Sequence, residues 1–76
     1  MNADPLTLLR AERVARRLDR PAWFWLCKKA TGKSTRREIL TRFATLSLTQ
    51  GDADQAVVFV LAAVISSARD AEEARR

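Results

Sequence analysis

A chain of 76 residues with fourteen Lys+Arg, nine Asp+Glu, no His and one Cys is restricted in the chemistry it can do. Without His it has no Ser-His-Asp triad, no Cys-His dyad and no imidazole metal ligand. With one Cys it has no internal disulfide framework and no four-cysteine zinc site. The length suits one domain with a modest core, marginal as a monomer. With no disulfide or metal to staple it, a homodimer is expected. Cys27 reads as a small core residue in a reducing compartment.

Charge is unevenly distributed. Residues 10–42 hold eleven basic and three acidic side chains, a local charge of +8, and the remainder holds three basic and six acidic, −3. A basic front half points to a polyanionic partner. The competing explanation is that an amphipathic helix needs a polar outer face, and Arg fills one well. No basic-flanked apolar leader is visible at Met1–Pro5. The longest uncharged run, Gln55 to Ala68, is 14 residues, against about 20 for a membrane span. The expectation is a soluble, cytoplasmic protein.

The pattern predicts an all-α fold, one small domain of four helices at about 5–19, 21–31, 35–50 and 53–70, the last few residues frayed. The first helix has Asp4 as N-cap and Pro5 at its first position. Leu8, Ala11, Val14, Ala15 and Leu18 share an arc of about 120° and form its apolar stripe. Leu6 and Leu9 lie off that stripe. Pro21 ends this helix and can open the next, which Gly32 terminates. In the second helix Trp23, Cys27 and Ala30 share one side, and Trp25 points away from Trp23. One Trp is expected to anchor the core. The other would lie exposed beside Lys28 and Lys29, which suits base stacking or a protein hot spot.

The third helix begins at a capping box, Thr35 with Glu38. Ile39, Leu40, Phe43, Ala44 and Leu46 form its stripe, with Leu48 at the margin and Thr41, Thr45 and Thr49 on the other face. Gly51 ends it. Asp52 with Gln55 starts the fourth helix, whose body from Ala56 to Ile65 is apolar all round. Such a helix should be buried all round. Four short helices surround one only partly, so its leftover face is expected to meet a second copy or a partner. Arg69/Glu73 and Glu72/Arg76 have helical ion-pair spacing.

Two motifs are weak. Gly32-Lys33-Ser34 resembles the end of a phosphate-binding loop, but the first glycine of that pattern is replaced by Cys27, and helix flanks it on both sides. Asp52 and Asp54 read as cap and dipole partners rather than a metal pair. A helix-turn-helix is the better shape match. Helices two and three flank a Gly-containing turn, although Lys28, Lys33 and Glu38 fall where such motifs want small or apolar residues.

The leading expectation is therefore a small basic regulatory protein without enzymatic activity, cofactor or metal. It would contact nucleic acid through Arg13, Arg16, Arg17, Lys28, Lys29, Lys33, Ser34, Arg36, Arg37 and Arg42. The alternative is a protein-interaction module, an adaptor, chaperone or inhibitor, docking through Trp25, Val57, Phe59, Val60 and Val64. A membrane-surface peptide fits less well, because acids occur on every helix except the second and the boundaries are capped like a globular domain's.

Overall fold

The computed structural model describes residues 4–75, which form four α-helices: α1 (Pro5–Arg17), α2 (Pro21–Thr31), α3 (Arg36–Thr49) and α4 (Ala53–Ala74). The all-α reading holds. Helix starts follow the expected chemistry. Asp4 accepts from the Thr7 N–H at 2.8 Å, Thr35 Oγ1 from the Glu38 N–H at 3.2 Å, and Asp52 from the Gln55 N–H at 3.0 Å. The same three-residue step in each case satisfies one orphan donor of the first turn. Gly32 closes α2 in the left-handed region at φ 72°, its N–H donating to the Lys28 carbonyl. Gly51, at φ 80°, makes the tight reversal between α3 and α4.

That reversal sets α3 antiparallel to α4. The C-terminal end of α1 meets the C-terminal half of α4 through Asp19 and Arg69, so α1 runs parallel to α4. Helix α4 is the spine on which both pack. Fully buried Ala11, Ala15, Ile39, Leu40 and Ala62 belong to one core cluster with Leu18, Cys27, Val58 and Ala63. The small residues permit close helix approach, and each large one adds about 1.5–3 kcal/mol of burial.

Five expectations need correction. Neither Trp anchors the core: Trp23 is 43% and Trp25 57% exposed. The inward line of α2 is Phe24, Cys27 and Thr31, one residue out of phase with the expected Trp23-Cys27-Ala30 line, and Ala30 is exposed. In α3, Leu46 is exposed and Ser47 takes the buried place, because its hydroxyl donates to the Phe43 carbonyl at 2.9 Å and so needs no solvent. Leu8 is exposed with Leu6 and Leu9, and the buried face of α1 begins only at Ala11.

The fifth correction concerns helix ends. Helix α1 stops at Arg17, and Leu18 to Arg20 turn back toward Pro21. Helix α4 runs on to Ala74, past the expected end near residue 70. Its C-terminal half is held by tertiary ion pairs, Arg69 to Asp19 at 3.1 Å and Asp70 to Arg36 at 3.3 Å. Arg69 therefore pairs across helices and not with Glu73. The expected Glu72/Arg76 pair lies outside the described residues.

Candidate nucleic-acid interface

The basic residues of the front half fall into two groups. Arg36 stands alone in the first. Its Nε is 3.6 Å from Asp19 Oδ1 and donates to the Leu18 carbonyl at 3.3 Å, its Nη1 reaches Asp70 Oδ1 at 3.3 Å, and its guanidinium sits 5.7 Å from the centre of the Phe24 ring. One side chain at the start of α3 thus ties the end of α1, the ring of α2 and the tail of α4. Arg36, a candidate phosphate contact, thus also serves as a partly exposed strut between these elements. Its partners stand 17 and 34 residues away in sequence, so no local spacing announced them.

The second group is everything else. Arg10, Arg13, Arg16, Arg17, Arg20, Lys28, Lys29, Lys33, Arg37 and Arg42 make no ion pair within 4.0 Å among the described residues. Of the acids in this stretch, Asp19 is taken by Arg36 and Arg69, and Glu38 accepts from the Thr35 hydroxyl at 3.2 Å. Lys33, Arg37 and Arg42 line one shallow depression with Glu38, Thr41 and Thr45 on the outer face of α3, beside Ser34 in the connecting loop, three cations to one acid. Arg13 and Arg16 are exposed on α1.

Two cations stack on the exposed aromatics. The Arg17 guanidinium lies 5.9 Å from the Trp23 ring centre, and Lys28 Nζ lies 5.8 Å from that of Trp25, with Lys29 free beside it. Each contact holds a flat ring at the surface next to positive charge. Trp23 also rims a cleft of about 250 Å³ walled by Val14, Leu18, Cys27, Phe43 and Phe59. Phe59 is therefore half-buried in that cleft, its ring centre 5.4 Å from that of Phe43. It does not share the outer face of Val60 and Val64, which are 51% and 60% exposed. Val57 is half-buried at the start of that outer face.

Elsewhere the chemistry is quiet. Burial pushes the Cys27 thiol above its ordinary value, keeping it protonated and unreactive. The Thr7 N–H and hydroxyl hold the Asp4 carboxyl below the usual carboxylate range. Asp52 is occupied in capping α4. The Gly32-Lys33-Ser34 segment connects two helices without the strand-loop-helix frame that cradles phosphate. No helix of the described residues is long and apolar enough to cross a membrane. Comparison with protein-family models, with curated proteins and with solved structures finds no match to this chain.

Proposed function

We propose that this chain binds nucleic acid as a small regulatory protein, without enzymatic activity, working as a dimer in the reducing cytoplasm. The observation that carries the reading is the set of ten front-half cations left without an ion-pair partner among the described residues. A surface built only for solubility intersperses both signs. Here Asp19 is held by Arg36 and Arg69 and Glu38 by its capping contact with Thr35, so among the described residues Glu12 is the one acid of the stretch left to balance ten unpaired cations. Lys33, Arg37 and Arg42, with Ser34, supply phosphate-directed donors around the first half of α3. Lys28, Lys29, Arg13, Arg16 and Arg17 add unpaired cations on α1 and α2, and Trp25 offers a stacking face. Arg36 is given a secondary place in this reading, because its partly exposed guanidinium is already engaged by Asp19, Asp70 and the Leu18 carbonyl.

The test is binding of a labelled duplex and a labelled single strand at low salt, with Lys33, Arg37 and Arg42 changed together to Gln. The triple variant should keep the wild-type melting temperature and lose most of its affinity. Equal binding by the variant removes the reading. The second reading, a protein-interaction module, is favoured by the exposure of neighbouring Trp25 and Leu26, 57% and 58%. It predicts association that tolerates salt and fails on Trp25→Ala.

A further inference from the structure

The outer face of α4 carries a pattern that bears on how two copies meet. At 100° per residue Val57, Val60, Val64, Ala68 and Ala71 fall within an arc of about 80°. Val60, Val64, Ala68 and Ala71 are exposed and Val57 is half-buried. No charge interrupts the face over about 21 Å of helix. It is also symmetric about Val64: seven residues on either side lie Val57 and Ala71, and four on either side lie Val60 and Ala68.

We infer that two copies of this chain pair antiparallel through α4, with Val64 of each copy meeting at the two-fold axis. The dimer belongs to the proposed function above, and the orientation and register are new here. In this register every Val faces an Ala, except at the centre, where Val64 faces itself. The summed bulk is nearly even, and the two axes can hold one separation of about 8–10 Å along the contact. A parallel pair would set Val57 on Val57 and Ala71 on Ala71, crowding one end and leaving a void at the other. Charge points the same way. Antiparallel packing brings Arg75 of one copy beside Asp54 of the other at both ends, whereas parallel packing sets Asp54 on Asp54 and Arg75 on Arg75. Opposed helix dipoles add a smaller term of the same sign.

The arrangement has a consequence for the basic surface. Arg37 and Thr41 of α3 border the same groove as Val60 and Val64. A two-fold axis perpendicular to the plane of two antiparallel α4 helices leaves both α3 helices on one side of that plane. The two Arg37 side chains then flank the axis, and the two basic α3 faces form one surface. Their mutual repulsion weakens the pairing at low salt without abolishing it, and an anion lying across both relieves it.

Cysteine cross-linking tests the register directly, in a Cys27→Ala background so that the introduced thiol is the only one. Val64→Cys should form a disulfide dimer on mild oxidation. Val57→Cys alone should not, because its two copies stand about 21 Å apart along the axis, while a disulfide needs Cα atoms within about 7 Å. Ala71→Cys alone should behave like Val57→Cys, and a mixture of the two should cross-link. Self-linking at 57 and 71 as readily as at 64 would overturn the antiparallel register. A monomeric mass in sedimentation with no cross-link at 64 would overturn the pairing. Both readouts are made without nucleic acid, so failure here is separable from failure of the binding proposal, which rests on the salt-dependent assay.

Discussion

Replacing Arg36 by Ala removes three polar contacts and one ring contact at a single point. The arginine is 36% exposed and its acidic partners are about half-exposed, so each ion pair is worth the surface value, about 0.2–1 kcal/mol, and the sum must be discounted for solvent screening. The hydrogen bond to the Leu18 carbonyl adds about 1 kcal/mol and the stacking on Phe24 about 0.5 kcal/mol. These overlap, since one guanidinium makes all of them, and a net loss of about 2 kcal/mol is expected. A chain of this size has about 4–11 kcal/mol of stability in total. The loss should lower the melting temperature by about 8–16 °C, followed by circular dichroism at 222 nm. Arg36→Glu should be worse, because it sets three acids together at Asp19, residue 36 and Asp70. In a double-mutant cycle Arg36→Ala and Asp70→Asn should couple by at least 0.5 kcal/mol or so, and raising the salt should shrink the coupling. A melting temperature within about 2 °C of wild type for Arg36→Ala would refute the strut. The functional corollary is that Arg36 variants cannot report on nucleic-acid binding, because they loosen the fold on which the rest of the surface is mounted.

Further outcomes follow from the same contacts. Arg37→Gln should weaken nucleic-acid binding and lower its salt dependence by about one unit in log–log slope for each copy engaged. The same variant should tighten self-association at low salt, measured by sedimentation equilibrium, a pairing of opposite effects that general destabilisation does not produce. Cys27 should react with a thiol reagent only slowly in the folded protein and quickly in denaturant. Because the folded state holds the Cys27 proton more tightly than the unfolded one, stability should fall as pH rises through the ordinary thiol value of 9.0. At the other end, folding holds the Asp4 carboxyl below 3.8, so its cap is intact above that pH and lost as pH falls through the lowered value; Asp4→Asn should flatten this acid limb in thermal melts. Thr35→Ala should cost about 1 kcal/mol through the lost cap of α3.

Helix number and helix starts were legible because their signals are local. Asp4, Thr35 and Asp52 each act on a residue three positions on, and Gly32 and Gly51 each adopt a conformation that other residues avoid. The phase of α2 was not legible. Trp23, Phe24, Trp25, Leu26 and Cys27 are apolar all round, and only the contact with α3 decides that Phe24 and Cys27 turn inward. Ser47 was passed over because polarity argues against burial until its hydroxyl finds the Phe43 carbonyl. At the candidate site, the basic excess could be counted from composition, but which cations stay outward could not. Arg36 and Arg37 are adjacent and chemically identical. One is drawn inward by Asp19 and Asp70, acids brought to it by tertiary packing, and the other borders an open groove. The exposed Val60 and Val64 confirm the leftover face of α4, whereas Phe59 shows that part of the same apolar run serves the interior.

The most direct test of the central claim is a salt titration of binding to a fluorescent duplex and to a single strand, beginning near 50 mM salt. Measurable binding is expected that falls linearly in log–log coordinates, with a slope of about −0.9 for each phosphate engaged on duplex. With Lys33, Arg37 and Arg42 each engaging one phosphate, the slope should be about −2.7 for one copy and about −5.4 for the pair, and it should drop sharply when those three are changed to Gln. No binding to either strand form at low salt, or binding with a flat salt response, would contradict it.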